Sequence, residues 1–478
     1  MSALQCPKML HFKAHHPELE QTDARTQSAY DTGNRIGELA RSLYGTADSV
    51  FLDYEYDRLR EARDETERLI AGGLRAPLFE ATFQHEGVLV RVDVLLPDGA
   101  DGWRLVEVKA STKVKQPQHV QDCAIQVWVC AGQGLRITGV ALAHVNSGFV
   151  YRGDGDYSGL LVEEDVTEDV EALIPEVPGW VAEARHAVAG PIPSVPVGQH
   201  CTVPYECGFM AQCWPMDCEY PVHGLKGSRK KLAELVQCGY RDIRDVPAEA
   251  LTSANHCRIH RVTVSGEPEV RQAAREFVRA LPYPRYHLDF ETIGPAIPIW
   301  EGTRPYATIP IQWSIHIEHG TGEVEHREFL DTSGEPPMRP LAESMIRELG
   351  SHGPVLMYTN YEEGVIRRLA EAYPDLAEDL YAIIDRLVDV HPVMRENYYH
   401  PQMLGSWSLK AVLPTVAPDM QYSELEEIQE GMAASEAFLE AIHPETSAER
   451  KAYLRERMLE YCKFDTEAMV RLVRYLEG

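Results

Sequence analysis

The sequence predicts an α/β protein with two domains, each formed by a β-sheet with helices packed against it. A chain of 478 residues is longer than one hydrophobic core usually organises. Short runs in which apolar and polar residues alternate occur in each half, and each series leads into runs with helical spacing of apolar residues. We therefore predict a first domain at residues 1–220, a basic helical connector at 221–282 and a second domain at 283–478.

The first domain is predicted to begin with helices in residues 1–75, where glycines end runs of helical spacing. Residues 160–200 are acidic and then rich in proline and glycine, which predicts a surface excursion. Between these regions the predicted strands are LFEATFQHEG, VLVRVDVLLPDG, WRLVEVKAST, TGVALAHVN and GFVYRG, with a helix at QHVQDCAIQVWVCAGQG before the last two.

The second domain is predicted to open with strands and to end in helices. The strands are YPRYHLDFETIG, IPIQWSIHIEHG and VEHREFLD, followed by a strand and a helix in PVLMYTNYEEGVIRRLAEAY. The connector carries a basic segment with Lys230 and Lys231, which is the best local candidate for contact with phosphate groups. A solvated helix face in a linker is the alternative interpretation of that segment.

Composition narrows the function classes. The sequence has no run of about 18 apolar residues that could span a bilayer, and its beginning lacks the pattern of a secretory signal, so we expect a cytoplasmic protein that does not enter the membrane. A formal net charge of -28 argues against a protein that binds nucleic acid over its whole surface, because phosphate binding is mainly electrostatic. Any contact with nucleic acid is therefore expected to be local.

Two acidic pairs in the second domain predict a site for divalent metal ions. Asp289 and Glu291 lie two apart in a predicted strand and share one face, where their like charges would need a compensating cation. Tyr461 and Asp465 lie four apart in a predicted helix and also share a face. The second carboxylate would complete the metal site and the phenol would orient the attacking water. Taken alone, each pair is more often part of an ordinary strand or helix surface.

Together, D-x-E on an early strand and Y-x3-D on a late helix resemble the DEDDy branch of the DnaQ-like exonuclease superfamily, over about 190 residues. The resemblance implies a ribonuclease H-like fold, two Mg²⁺ or Mn²⁺ ions and 3′-to-5′ exonuclease activity. It also implies a further acidic residue after an asparagine. Asn360 fits that pattern as a substrate-binding residue, and the acidic position is a glutamate, Glu362 or alternatively Glu363. Asp385 and Asp389 are further acidic candidates.

The run G-S-x-S-x-K-x-V-L-P resembles a bacterial family of uncharacterised proteins in which such a domain follows a RecB-like nuclease. The resemblance implies that Ser406, Ser408 and Lys410 contact substrate phosphate. A structural helix start with Ser406 as the N-cap is the alternative.

Asp93, Glu107 and Lys109 form a second candidate centre in the first domain. Glu107 and Lys109 share one strand face, so a metal-binding carboxylate and an ammonium group can converge on one phosphate. The pattern resembles the PD-(D/E)XK nucleases, which implies a restriction-endonuclease-like mixed sheet with metal ions at Asp93 and Glu107. The RecB-like members of that superfamily imply a further metal ligand at Glu80 and a substrate contact at Gln126, although Cys130 replaces the expected tyrosine.

The cysteines indicate a metal-binding role for one cluster. Of ten cysteines, Cys201, Cys207, Cys213 and Cys218 fall within 18 residues. With Cys6, the first three resemble the iron–sulfur staple of RecB-like nucleases, including CRISPR-associated and AddB-type members, which implies a [4Fe–4S] cluster held by Cys6, Cys201, Cys207 and Cys213. Cys218 is a substitute ligand, and a Zn²⁺ site made from the four local cysteines is the alternative.

The sequence thus predicts a nuclease with two catalytic centres that acts on nucleic acid, with DNA expected from the resemblance of the first domain. Two other interpretations stay open. One is an RNA exonuclease whose first domain only binds nucleic acid, and the other is a non-catalytic nucleic-acid-binding subunit of an assembly with protein partners.

Overall fold

A computed structural model describes residues 1–21 and 24–478 of the chain. It is a mixed α/β structure that divides into two compact units. Unit 1 comprises Met1–Gln212 and Pro295–Tyr306, and unit 2 comprises Cys213–Gly294 and Ala307–Gly478. The predicted connector at 221–282 therefore folds as part of unit 2 rather than as a separate segment, and a short insertion from the second half belongs to unit 1.

Unit 1 is a six-stranded mixed sheet between helices. Its strands are β1 (Val50–Phe51), β2 (Leu78–His85), β3 (Val88–Asp98), β4 (Gly102–Lys109), β5 (Ile137–Val145) and β6 (Leu161–Asp165). Its helices are α1 (Ser2–Gln5), α2 (Pro7–His15), α3 (Ala24–Tyr44), α4 (Leu59–Ala71), α5 (Gln118–Gly132), α6 (Thr167–Leu173) and α7 (Val177–Ala189).

The strands of unit 1 follow the order β1-β2-β3-β4-β5-β6, parallel at β1/β2 and β4/β5 and antiparallel elsewhere. Successive side chains of the central strands point alternately into two apolar layers. Leu95 and Leu105 belong to the layer that includes α5, whereas Val94 and Val106 belong to a smaller layer with Tyr44 of α3. This double burial explains why the central strands are apolar on both faces.

Two sequence predictions for unit 1 are wrong. The segment GFVYRG is not a strand: the Phe149 amide donates to the Asn146 oxygen in a local turn, and Tyr151 bonds to Gly302 and Thr303 of the inserted segment. Residues 160–200 are not merely a surface excursion, since they form β6, α6 and α7. Val170 and Val177 are fully buried in the larger apolar layer, which the acidic composition of the region concealed.

Unit 2 contains a five-stranded sheet, a short two-stranded sheet and helices. Its strands are β7 (Glu269–Val270), β8 (Arg285–Ile293), β9 (Ile309–Glu318), β10 (Val324–Leu330), β11 (Val355–Met357), β12 (Leu387–Asp389) and β13 (Tyr398–Tyr399). Its helices are α8 (Arg229–Gln237), α9 (Ala254–Ser265), α10 (Gln272–Ala280), α11 (Met338–Leu349), α12 (Tyr361–Ala372), α13 (Ala377–Ile384), α14 (Val390–Asn397), α15 (Leu409–Val416), α16 (Gly431–Ile442) and α17 (Ala448–Glu477).

The five strands follow the order β10-β9-β8-β11-β12, with β8 at the centre. β10, β9 and β8 are antiparallel, and β11 and β12 continue parallel to β8. One face of the sheet is apolar. Leu288 and Phe290 of β8 join Trp313 and Ile315 of β9 in a core with α11, α12 and α13.

The opposite face of β8 and β9 is polar and is also buried, under α17. Every residue of β9 is buried, so the alternation of Gln312, Ser314 and His316 with apolar residues does not mark a solvent-exposed face. The Gln312 amide donates to the main-chain oxygen of Met458 (3.0 Å), and Thr466 lies 2.8 Å from Ser314 Oγ and 2.7 Å from His316 Nδ1. These hydrogen bonds fix the position of α17 on the sheet.

Within residues 1–21 and 24–478, the helices are too short or too polar for any of them to cross a bilayer.

The buried histidines predict how the stability of unit 2 depends on pH. Burial lowers the pKa of His316 to about 3 and that of His326 to about 4. The unfolded chain therefore binds more protons than the folded chain between roughly pH 6.5 and pH 4, and stability falls as pH decreases through that window. We expect the melting temperature to fall over this range, and to fall less steeply in the double variant His316→Gln/His326→Gln. Equal slopes would contradict the assignment.

Candidate functional site

The principal site of unit 2 lies where the polar face of β8 meets α17. The two-residue period of β8 places Asp289 and Glu291 on that face, and the four-residue spacing on α17 brings Tyr461 and Asp465 to the same region. In the part of the chain that the structure describes, one group of possible metal ligands has its ligand atoms within 4.8 Å of one another: Asp289, Glu291 and Cys462. Cys462 of α17 thus joins the two carboxylates of β8, whereas Asp465 lies outside this group.

The electrostatics of the cluster show that it is short of positive charge. Burial, followed by the charges of Asp465 and Glu291, raises the pKa of Asp289 well above its ordinary range. Burial and then the charge of Asp465 raise the pKa of Glu291 to about 8, and burial raises the pKa of Asp465 to about 6. Carboxylates in such a place need protons or cations to be stable at neutral pH.

Glu362 is the middle acidic residue that the structure brings to the site. It lies in the first turn of α12, immediately after β11, and is 3% exposed. Burial raises its pKa to about 8, and its Oε2 has no hydrogen-bond partner among the described residues. Its charge contributes to the raised pKa of Asp289, although Glu362 lies outside the group of Asp289, Glu291 and Cys462. Glu363, the alternative, pairs instead with Arg367 at 2.5 Å.

The turn before α12 is held by Asp389. Its Oδ1 accepts hydrogen bonds from the main-chain amides of Thr359 (3.0 Å) and His391 (2.9 Å). Thr359 has a φ of 100°, a conformation that is costly for a β-branched residue, so the turn needs these bonds. Asp389 thus acts as a support for the turn and for Glu362, while Asp385 ends α13.

Two site residues escaped the sequence analysis. The hydroxyl of Tyr422 donates a short hydrogen bond to Asp465, and its ring lies 6.3 Å from that of Tyr461. Tyr422 is remote in sequence and sits in a 3-10 turn, so no periodicity pointed to it. Cys462 is fully buried, with Sγ 3.6 Å from Asp289 Oδ2. In the sequence, the position of Cys462 next to Tyr461 was the one feature that could have indicated its place in the site.

Lys410 supplies positive charge to the site. Its Nζ lies 5.0 Å from the ring centre of Tyr422 and 5.6 Å from that of Tyr461. It lowers the pKa values of Glu291 and Asp465 against the larger effect of burial. Ser408, not Ser406, is the N-cap of α15, because its hydroxyl accepts from the amide of Ala411. The alternative that assigned the cap to Ser406 is therefore wrong.

Asn360 and the two lysines of the predicted basic segment are peripheral. Asn360 precedes α12 at its N-cap position and is exposed, with no side-chain capping bond. Lys230 is an exposed residue of α8, and Lys231 forms an ion pair with Glu234 at 3.6 Å. This arrangement is that of a solvated helix face.

The candidate residues of unit 1 lie at the end of the β3/β4 ladder. Asp93 Oδ2 accepts from the main-chain amide of Val108 at 2.7 Å, which ties the two strands together. Lys109 Nζ contacts Glu107 Oε1 at 2.5 Å and Asp122 Oδ2 at 2.9 Å. Burial alone would lower the pKa of Lys109, but the carboxylates of Glu107, Asp122 and Asp93 raise it well above its ordinary range. The ammonium group is therefore charged at neutral pH.

The remaining predicted residues of that centre have different environments. Gln126 is buried on α5 and donates to Glu107 Oε2 at 2.8 Å. Glu80 has a φ of 60° and forms an ion pair with Arg91 at 2.7 Å. Burial and the charge of Glu107 raise the pKa of Asp93 well above its ordinary range, and burial also raises that of Glu107. Asp93, Glu107 and Lys109 therefore remain the candidate catalytic residues of unit 1. The charge of Glu80 is neutralised by its ion pair with Arg91.

The predicted cysteine ligands are divided between the units. Cys6, Cys201 and Cys207 belong to unit 1, whereas Cys213 and Cys218 belong to unit 2. In unit 1, the Gln5 amide donates to the main-chain oxygens of His200 (2.8 Å) and Tyr205 (2.7 Å), which holds the segments around Cys6 and Cys201 together. Among the residues described, the three thiols do not meet within 4.8 Å.

Comparison with known proteins gives one match. A family model described as a domain of unknown function (DUF2779) matches residues 286–408, about a quarter of the chain. The matched segment contains Asp289, Glu291 and Glu362 but ends before Lys410, Tyr422 and α17. No curated protein and no solved structure matches the chain.

The charge balance of the unit 2 cluster predicts the effect of Asp289→Asn. A buried carboxyl group whose pKa is raised on folding costs stability above its unfolded pKa, and the amide removes that cost. Without metal, at about pH 7, we expect Asp289→Asn to be more stable than the wild type by about 1–2 kcal/mol. Mn²⁺ at a hundred times its dissociation constant should stabilise the wild type by about 2.7 kcal/mol and the variant by much less. Calorimetry checks both, with Glu371→Gln as a control that keeps the metal response.

The hydrogen bond from Tyr422 predicts a second effect. Removing the hydroxyl in Tyr422→Phe leaves the ring but frees Asp465, and loss of such a supporting bond typically weakens metal binding by about tenfold or more. Titration of Mn²⁺ by calorimetry should show this loss. Tyr381→Phe, at an exposed tyrosine of α13, should bind like the wild type. Unchanged affinity in Tyr422→Phe would contradict a supporting role.

Proposed function

We propose that the chain is a divalent-metal-dependent nuclease with two centres, one in each unit, and that the centre of unit 2 is a 3′-to-5′ exonuclease. The observation that carries the proposal is the contact between the β8 carboxylates Asp289 and Glu291 and α17, the helix that also carries Tyr461 and Asp465. The central position of β8, the antiparallel and then parallel pairing around it, and helices on both faces support a ribonuclease H-like fold for unit 2.

The donor set fits hard divalent cations. Four carboxyl groups supply oxygen ligands, their pKa values are raised by burial, and the buried Oε2 of Glu362 lacks a partner among the described residues. Asp289, Glu291, Glu362 and Asp465 would hold Mg²⁺ or Mn²⁺. When bound, such ions neutralise phosphate charge and lower the pKa of water so that it attacks phosphorus at neutral pH.

The remaining side chains of unit 2 act through hydrogen bonds and charge. The pKa of Tyr461 is raised strongly by burial and then by Asp465, so the phenol stays protonated and donates hydrogen bonds rather than accepting a proton. It can hold the attacking water in line with the scissile bond. Lys410, whose Nζ lies near both tyrosine rings and donates to the main-chain oxygen of Gln429, would contact a substrate phosphate.

Unit 1 would cleave phosphodiesters by the same class of chemistry. Asp93 and Glu107 would hold the cation, and Lys109 would stabilise the charge that develops on the phosphate oxygens. The Glu107 and Asp122 carboxylates keep the ammonium group of Lys109 charged and hold it beside Glu107, where the cation would bind. The mixed sheet of unit 1 supports a restriction-endonuclease-like fold, and DNA is the proposed substrate.

The hydrogen bonds that hold the segments around Cys6, Cys201 and Cys207 together support the iron–sulfur proposal for unit 1. Anaerobically purified protein should show the broad visible absorbance of a [4Fe–4S] cluster, and Cys201→Ser should lose it. A colourless sample that contains zinc would favour the alternative Zn²⁺ site.

Nuclease assays test the proposal directly. Single-stranded DNA and RNA labelled at either end, with Mg²⁺ or Mn²⁺, should show shortening from the 3′ end, with DNA preferred. Glu362→Gln should reduce this activity by roughly a hundredfold, whereas Glu371→Gln, on the same helix, should not change it. Lys109→Ala should leave 3′-end shortening in place and remove any remaining cleavage.

Three outcomes separate the rival functions. Preference for RNA, with no effect of Lys109→Ala, would favour an RNA exonuclease with a binding-only first unit. Binding of nucleic acid without cleavage would favour a non-catalytic subunit. If the wild type and the double variant Asp289→Ala/Lys109→Ala neither bind nor cleave, the nuclease proposal is wrong.

A further inference from the structure

The groups that would act on a phosphodiester in unit 2 are too buried for a nucleic acid strand to reach them. Glu291 is 8% exposed, Glu362 3% and Tyr461 4%, whereas Asp289 and Asp465 are partly exposed. A metal ion needs little room, but the phosphate of a strand must meet the ions and the attacking water together. Some part of unit 2 must therefore move before a strand can bind.

The segment 423–430 runs between two carboxylates of the site. Immediately before it, the hydroxyl of Tyr422 donates a hydrogen bond to Asp465. Immediately after it, a Cβ atom at Gly431 would lie 3.5 Å from Glu291 Oε2, so the main chain itself passes against this carboxylate. One end of the segment is thus placed beside a carboxylate of α17 and the other end beside a carboxylate of β8.

The same segment contacts the lysine of the site and has little regular structure. Lys410 Nζ donates to the main-chain oxygen of Gln429. Residues 425–430, all of which the structure describes, belong to no helix or strand, and they connect a 3-10 turn at Tyr422–Glu424 to α16. Segments with few main-chain hydrogen bonds are the ones that open locally at the lowest cost.

The segment is acidic and is attached to α17 by ion pairs. It carries four glutamates and no lysine or arginine. Glu427 contacts Arg450 through both carboxylate oxygens, at 2.6 and 3.2 Å, and Glu426 lies 3.4 Å from Arg457. Arg457 precedes Tyr461 by about one helical turn, so this attachment lies next to the site.

Two opposing features set the balance between a closed and an open segment. Leu425 and Ile428 are buried, which favours the closed state. Glu427 has a φ of 59°, a left-handed conformation that is unfavourable for a residue with a side chain. Its ion pair with Arg450 offsets that cost, so Glu427 is the position at which the closed state is most readily weakened.

We propose that residues 423–430 are an autoinhibitory cover over the centre of unit 2, which a nucleic acid strand must displace, and that the Glu427–Arg450 ion pair helps to hold it closed. While it is closed, its four carboxylates repel a phosphate backbone. Tyr422 remains bonded to Asp465 as the hinge, so metal binding does not need the open state. The inference rests on the proposed function, because a strand, unlike an ion, needs the cover to open.

Hydrogen exchange of the full chain, measured by mass spectrometry on the peptide that contains residues 423–430, reports the opening of the cover. Glu427→Gln removes the ion pair and keeps the size of the side chain. Because the pair is partly exposed, we expect exchange in this peptide to become about two- to fivefold faster than in the wild type. Glu440→Gln is the matched control, because Glu440 pairs with the same Arg450 from α16, outside the cover. Its peptide should exchange like that of the wild type.

A single-stranded DNA oligonucleotide with phosphorothioate linkages, which resist cleavage, provides the second test. Bound in the presence of Mg²⁺, it should accelerate exchange in residues 423–430, whereas Mg²⁺ alone should not. With a cleavable oligonucleotide, kcat/KM of Glu427→Gln should rise by the same factor as its exchange rate, since the open fraction sets the apparent affinity for the strand. Glu440→Gln should cleave like the wild type.

The outcomes separate the cover from the nuclease proposal. Equal exchange in Glu427→Gln and the wild type, or exchange that a bound oligonucleotide leaves unchanged, overturns the cover even if the wild type cleaves nucleic acid. Faster exchange in both tests supports the cover, and if no substrate is then cleaved, the nuclease proposal fails separately. If neither the wild type nor Glu427→Gln binds the oligonucleotide, the segment does not guard a nucleic acid site and the cover is overturned.

Discussion

The buried polar interface between β8, β9 and α17 is the constraint on which unit 2 depends. A sheet with one apolar and one polar face would normally expose the polar one. Here α17 covers it and makes hydrogen bonds to Gln312, Ser314 and His316. Because those bonds are directional, α17 has one favourable register on the sheet. That register carries Tyr461, Cys462 and Asp465 to the carboxylates of β8.

The candidate site stands at the end of this interface and differs from it in one respect. Ser314 and His316 of β9 find a partner in Thr466, whereas the charges of Asp465, Glu291 and Glu362 all act against an ionised Asp289. Such a group is unfavourable by itself, and only a well-supported framework tolerates it. Asp389 and Tyr422 provide part of that support, since each hydrogen-bonds to a site residue or to the turn that carries one.

The sequence was most informative where a repeat of two or four residues placed side chains together. Asp289 with Glu291, Tyr461 with Asp465, and Glu107 with Lys109 all follow from such local periods. Tyr422 could not be predicted in that way, because its contact with Asp465 joins residues 43 apart that belong to no common element. The role of Asp389 could not be predicted either, because it depends on contacts between the end of β12 and the turn before α12. The acidic composition of residues 160–200 suggested an exposed segment, but α6 and α7 place buried residues in the core. The sequence motifs thus identified the candidate catalytic residues, whereas the residues that support them could be identified only from the tertiary packing.

The segment Pro295–Tyr306 has a consequence for the order of synthesis. It lies in the sequence after β8 of unit 2, yet it completes unit 1: Ala296 joins a buried cluster with Ile36, Tyr157 donates to the Pro298 oxygen at 3.1 Å, and Tyr306 bonds to the oxygen of Ala110, next to Lys109. On the ribosome, unit 1 can reach its final packing only after the first strand of the central sheet of unit 2 has been made. A fragment that ends before residue 295 lacks Ala296 and Ile297 of the apolar cluster that also includes Val108 and Ala110, on either side of Lys109. Division of the chain at residue 220 would therefore leave unit 1 without part of its core.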